Sequence, residues 1–162
     1  MIFVTVGAQM PFDRMVRAVD EWAGERRRGD VFAQIGPTEW RPGHVKWTQF
    51  LQPPEFAQRV AEAKVIVAHA GMGSIITAMT TGKPILVMPR RGELKETRND
   101  HQLATAQRFL ELGKVAVAFD ENELKDRLDR LDEVAAAGRV GPWASESLLS
   151  TVRGFISGEK TP

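Results

Sequence analysis

Three short clusters hold the residues best suited to chemistry. The first is Val65-Ile-Val-Ala-His-Ala-Gly-Met-Gly-Ser74. An apolar run enters a turn through His69, Ala70, Gly71, Met72 and Gly73, and a helix follows, with Gly73 or Ser74 expected as its N-cap. Gly71 and Gly73 lack a Cβ, so a ligand can approach the backbone closely. The first N–H groups of a helix have no intrahelical acceptor and lie at the positive end of its dipole. That combination suits a phosphate or diphosphate. The same glycines would equally serve a tight turn built for packing alone.

The second cluster is Asn99-Asp-His-Gln102, at the start of a helix. Asp100 can act simply as N-cap, with Gln102 in the first turn. Alternatively, Asp100, His101 and Gln102 offer a carboxylate, an imidazole and an amide to sugar hydroxyls in a cleft at the strand ends. The third cluster, Thr5-Val-Gly-Ala-Gln-Met-Pro-Phe12, follows the first strand. There Gly7 permits a close backbone approach, but alone this loop discriminates little.

Competing motifs fail. A dinucleotide fingerprint needs a third glycine at the position of Ile76, and Gly82-Lys83 is followed by Pro84 rather than the Ser or Thr of a P-loop. No Gly-x-Ser-x-Gly elbow is present. His44, His69 and His101 have no metal-ligand spacing, and there is no Cys, so neither a metal nor a cofactor is expected.

The elements that must position these clusters alternate between strand and helix. Apolar runs at Ile2–Val6, Val31–Ile35, Val45–Leu51, Val65–Ala68, Pro84–Met88 and Val115–Phe119 read as six strands. Between them Phe12, Met15, Val16, Val19 and Trp22 recur at helical spacing, as do Phe56, Val60 and Ala63. Helices are also expected from Ser74 to about Thr81, over Asp100–Leu112, and across Leu124, Leu128, Leu131 and Val134 as one unit. A last stripe, Leu148 to Ile156 with Trp143 before it, would close the core or cross to a partner. The alternation implies an α/β, Rossmann-like doubly wound fold with a mostly parallel sheet. Pro89–Asn99 is a charged connection of about eleven residues, beyond the usual two to six or so. It reads either as a solvated insertion or as a mobile loop beside a ligand; Arg90 or Arg91 could add charge near a bound diphosphate, but solvated arginines are the expectation.

Composition narrows the class. The 162 residues suit one domain over 1–162 that buries roughly 70% of the unfolded surface. Twenty-two Lys+Arg against 21 Asp+Glu leave a net charge of +1, which does not point to nucleic acid. No apolar run approaches the roughly 20 residues of a membrane span, and the start lacks a signal-peptide pattern, so a cytoplasmic location is expected.

Ala68-His-Ala-Gly-Met-Gly-Ser74, Gly82-Lys-Pro-Ile-Leu-Val-Met-Pro-Arg90 and Asn99-Asp-His-Gln102, in that order, resemble the C-terminal domain of family 28 glycosyltransferases. With Ile2–Gly7 and Phe12-Asp13, the chain is most similar to the short, single-domain branch, which includes the PssE-like exopolysaccharide subunits and the catalytic subunits of the dolichol-pathway UDP-GlcNAc transferase. The resemblance implies the C-terminal half of a GT-B glycosyltransferase, binding a UDP-sugar donor. It implies that a separate membrane-associated subunit supplies the acceptor domain and the catalytic base, carries the lipid-linked acceptor, and holds this chain at the inner face of the membrane. It implies that Gly71, Met72, Gly73 and Ser74 hold the diphosphate, with His69 and Ala70 leading into the same turn. Phe50 and Leu51 would line a uracil pocket, and Asp100, His101 and Gln102 would face the donor sugar. Gly7 and its neighbours, Gln9 among them, would close on the phosphates. Thr77 stands where the family usually carries a glutamate for the ribose hydroxyls, and a hydroxyl is not a charged bidentate acceptor. Thr77 and the lack of an evident base keep a second expectation open, a non-catalytic UDP-sugar-binding regulatory module.

Overall fold

The computed structural model describes residues 1–98 and 100–137. The expected helix over Leu148–Ile156, with Trp143, lies outside the described residues, as does Asn99.

Six strands form one sheet: β1 (Ile2–Thr5), β2 (Val31–Gln34), β3 (Lys46–Thr48), β4 (Val65–His69), β5 (Ile85–Met88) and β6 (Ala116–Val117), in the spatial order β3-β2-β1-β4-β5-β6. All five pairings are parallel. Parallel strands need covered faces, and this explains the near-continuous apolar runs at β1, β4 and β5. Successive side chains point to opposite faces. Ile2 and Val4, Val65 and Val67, and Leu86 and Met88 therefore enter one core, while Phe3, Ile66, Ile85 and Val87 enter the other.

The first core is covered by α1 (Asp13–Glu25), α5 (Glu121–Asp129) and α6 (Leu131–Ala137), through Met15, Trp22, Leu124, Leu128 and Val134. The second is covered by α2 (Pro53–Glu62), α3 (Met72–Thr80) and α4 (His101–Glu111), through Val60, Ile75, Ala78 and Ala106. The arrangement is the doubly wound α/β sandwich that the alternation implies.

Three boundaries differ from expectation. β3 and β6 are shorter than their apolar runs because each is an edge strand with a single neighbour. The helix expected across Leu124–Val134 is two helices, broken at Arg130. Just before the break, Asp129 accepts hydrogen bonds from Trp22 Nε1 at 2.8 Å and from Arg26 at 2.7 and 2.9 Å. The new direction of α6 returns Val134 to the core.

Elsewhere, buried Asp20 organises the segment before β3. Its carboxylate accepts from the backbone N–H groups of Gly43, His44 and Val45 at 2.8–3.0 Å. Burial alone would raise its pKa, but these donors, with the His44 side chain, hold it below the ordinary value of 3.8.

Candidate functional site

The strand order reverses direction between β1 and β4, and open α/β sheets bind ligands beyond the carboxyl ends of their strands at such a point. A cleft of about 680 Å³ lies there. Its walls are the loop after β1, the end of β2, the start of α2, the β4–α3 turn and the segments around β5 and α4.

The β4–α3 turn is built around His69. A Cβ on Gly71 would lie 2.2 Å from its Nε2, and one on Gly7 would lie 2.9 Å from its Cε1. The two glycines are thus the space that the imidazole occupies. Gly71 N donates to His69 O at 2.8 Å, and the helix starts immediately afterwards with Gly71, not Gly73 or Ser74, as N-cap. A glycine at 71 leaves the ring room at this turn. Met72, Gly73 and Ser74 form the first turn, with N–H groups that have no carbonyl acceptor four residues back within the helix. Nothing lies within 4 Å of a Cβ added at Gly73, which lines the cleft. His69 Nδ1 is buried without a hydrogen bond. Burial first, and the charge of Arg90 second, push the His69 pKa down to about 4. The imidazole is neutral at physiological pH.

The loop after β1 turns at Gly7, whose φ of +77° is the left-handed region that glycine adopts without strain. Thr5 Oγ1 accepts from Gly7 N at 3.2 Å and donates to Gln34 Oε1 at 2.7 Å.

The segment after β5 is anchored by its arginines, while Glu93, Leu94, Lys95 and Arg98 stay exposed. Arg90 is only 3% exposed, correcting the expectation of a solvent-facing arginine. Its guanidinium donates to the carbonyls of Val6, Met10 and Pro11, each at 2.8 Å, and to that of Glu96 at 3.3 Å. Arg91, half-buried, donates to Phe119 O at 2.8 Å. The Glu96 carboxylate receives Arg14 at 2.7 and 2.9 Å and the Arg91 N–H at 2.9 Å. The charged loop thus contributes Arg90 and Thr97 to the wall of the cleft, and its middle faces solvent. Asp100 is the N-cap of α4 by position, yet its side chain accepts from Gly92 N at 2.8 Å rather than from the helix. Gln102 Oε1 accepts from Arg90 N at 3.1 Å.

Of the residues singled out in the sequence, Gly7, Gln9, Leu51, His69, Gly73, Ser74, Thr77 and Gln102 line the cleft together. Ala70 is buried beneath the turn, and Gly71 lies against the His69 ring. Phe50, Met72, Asp100 and His101 are exposed and stand outside the lining. Thr77 Oγ1 donates back to Gly73 O at 2.8 Å. Thr5, from the third cluster, and Arg90, expected to be solvated, also line the cleft, whereas sequence reasoning missed Gln34, Pro53, Phe56 and Thr97. Gln34 had a visible signal, since it is the first polar residue at the end of an apolar strand. Among the described residues no group of three or more His, Asp or Glu is placed to hold a metal ion. No described helix is long and apolar enough to cross a membrane.

A family model described as "Glycosyltransferase family 28 C-terminal domain" matches residues 1–137. No curated protein sequence matches the chain. Among solved structures, the chain is similar to MurG of Acinetobacter baumannii, at 16% identity and a TM-score of 0.60, covering 85% of this chain and 44% of that one. It is similar to the solution structure of ALG13, at 18% identity and a TM-score of 0.59, covering 96% and 94%. A third is the glycosyltransferase VinC in complex with DTDP, at 20% identity and a TM-score of 0.51, covering 97% and 42%. These likenesses establish the shared fold. The chain spans less than half the length of MurG and VinC.

Proposed function

The chain belongs to the glycosyltransferase family 28 C-terminal domain family, and from that membership we propose that it is the donor-binding subunit of an inverting glycosyltransferase. It takes a sugar from a UDP-sugar and passes it to a polyprenyl-diphosphate-linked glycan, in exopolysaccharide or lipid-linked oligosaccharide synthesis. One observation carries this reading: a single cleft at the β1/β4 switch point gathers Gly7, the open Gly73 and the first turn of α3.

Such a transfer needs a held leaving diphosphate, an oriented sugar and a base for the acceptor hydroxyl. The diphosphate rests on the N–H groups of Gly73 and Ser74, approached from the other side by the loop of Gly7 and Gln9. Leu51 and Phe56 give the uracil an apolar wall, with exposed Phe50 beside them. Gln102 orients the sugar; Asp100 and His101, two and one positions before it, stand nearer the open side, where a longer donor or the acceptor passes. The base comes from a membrane-associated acceptor-domain subunit, which also holds this otherwise single-domain chain at the inner face of the membrane.

Titration calorimetry with UDP tests the core of the proposal. Binding is expected, and no heat with UDP, alone or with the acceptor-domain subunit, overturns it. Thr77 supports a second reading, a UDP-sugar-binding regulatory module without transfer, because its hydroxyl is engaged by Gly73 O. UDP release that requires both the partner and a lipid-linked acceptor decides for the transferase.

A further inference from the structure

We propose that Arg90 is a positioning residue for the donor phosphates, acting through the loop after β1 as a buried cation built into the wall of the cleft. Its guanidinium is almost fully covered, and it gathers both ends of that loop through the carbonyls of Val6 on one side and Met10 and Pro11 on the other. The Phe12 ring lies 5.1 Å from its Cζ, adding a cation–π contact. Gln102 fixes the Arg90 backbone from α4. One residue therefore ties the end of β5, the first loop and the sugar-facing helix into one unit.

The charge is the unusual part. An arginine stays protonated, and burying it without a partner is costly. The nearest acid, Glu96, gives Arg90 only its backbone carbonyl, because its carboxylate is committed to Arg14 and to the Arg91 N–H. Among the described residues no carboxylate pairs with the Arg90 guanidinium, and its Nε is buried without a partner. Carbonyl dipoles solvate the cation but do not neutralise it. The neighbouring His69 registers that field, since the Arg90 charge disfavours its protonation. A dianionic diphosphate in the adjoining cleft supplies the missing negative charge, and uridine alone does not. Arg90 thus couples the presence of phosphate to the position of the loop bearing Gly7 and Gln9.

This inference rests on the donor reading above, and the two fail separately. Calorimetry on the full chain with UDP and with uridine is the experiment. If the wild type binds neither, alone or with the acceptor-domain subunit, both fall; if it binds UDP, the donor reading stands and the variants judge Arg90. In Arg90→Met, UDP affinity is expected to drop about tenfold or more, with uridine within about threefold of wild type, the size of a lost charge-assisted contact. Arg90→Lys keeps the charge without the fork, and its UDP-to-uridine ratio is expected to fall between the two. A folded Arg90→Met with the wild-type ratio overturns the proposal, and so does an equal loss for both ligands, which marks a merely structural role. Should Arg90→Met fail to fold, amide exchange in the wild type decides. UDP, but not uridine, is expected to slow exchange across residues 6–11, and the absence of a UDP-specific effect overturns the proposal.

Discussion

The imidazole of His69 fills the space where a side chain at residue 71 would stand, with Nε2 2.2 Å from the position of a Cβ on Gly71. The glycine is therefore required by the neighbouring ring and not by its own backbone, whose φ of −88° suits any residue. Gly71→Ala is expected to cost about 1–3 kcal/mol, the range for overpacking a filled site. Chemical denaturation measures it, and combining Gly71→Ala with His69→Ala should recover part of the loss. A double variant no more stable than the sum of its single changes would sink this account.

The same ring makes stability depend on pH. The folded His69 pKa of about 4 lies below the ordinary 6.5. Between these values the unfolded chain takes up a proton that the folded chain refuses. Its contribution to stability is thus fully present above pH 6.5 and lost as the pH falls toward 4. Asp20, held below 3.8, acts in the same direction at lower pH. Denaturation midpoints measured from pH 7 to pH 4 should fall steadily, and His69→Gln should flatten that slope. NMR titration should show the His69 ring still neutral at pH 5.5; a midpoint near 6.5 there would contradict the burial argument.

Asp20 offers a change far from the cleft. Asp20→Ala leaves the N–H groups of Gly43, His44 and Val45 without their acceptor, and buried unsatisfied donors cost about 1–3 kcal/mol each. Water reaches part of this segment, so a total of about 3 kcal/mol is expected, with UDP affinity within about twofold of wild type. A matching loss of UDP affinity would mean that the segment before β3 reaches the site.

The sheet was legible in the sequence because β1, β4 and β5 are buried on both faces, which leaves little room for polar residues to confuse the pattern. The glycine turn was legible for the same reason, standing where an apolar run stops. What escaped was pairing. Arg90 sits among Arg91, Glu93, Lys95 and Glu96, and nothing in such a run tells which cation turns inward to the carbonyls of a loop about 80 residues away. Asp100 and Gln102 were placed on the right helix end, but their acceptor atoms serve Gly92 and Arg90, which only the fold brings near. The cap of α3 was misplaced by two or three residues, because the space the His69 ring takes beside Gly71 is visible only in the fold.

Thr77 lines the cleft from α3, where the proposed donor reading puts the ribose. Thr77→Glu exchanges a hydroxyl bonded to Gly73 O for a charged acceptor. Uridine affinity is expected to rise about tenfold, the worth of one charge-assisted hydrogen bond, while 2′-deoxyuridine gains less. Equal gains for both nucleosides would show that the ribose does not lie beside Thr77.

Gly73 separates folding from binding most sharply. It lies in the first turn of α3, and a Cβ there meets nothing within 4 Å. Alanine is a better helix residue than glycine by about 0.5–1 kcal/mol, so Gly73→Ala is expected to stabilise the fold by a few tenths or more. The methyl group nevertheless enters the space through which a phosphate reaches the Gly73 and Ser74 N–H groups. UDP affinity should fall by about tenfold or more, as when an anion is kept from its hydrogen-bond donors. Thermal melting and calorimetry on the same sample read the two effects, which are predicted to have opposite signs. Gly71→Ala, by contrast, loses stability first, because there the obstacle is the protein's own histidine. If Gly73→Ala melts higher and binds UDP as the wild type does, the phosphates do not rest on the first turn of α3, and the donor must enter the cleft in another orientation.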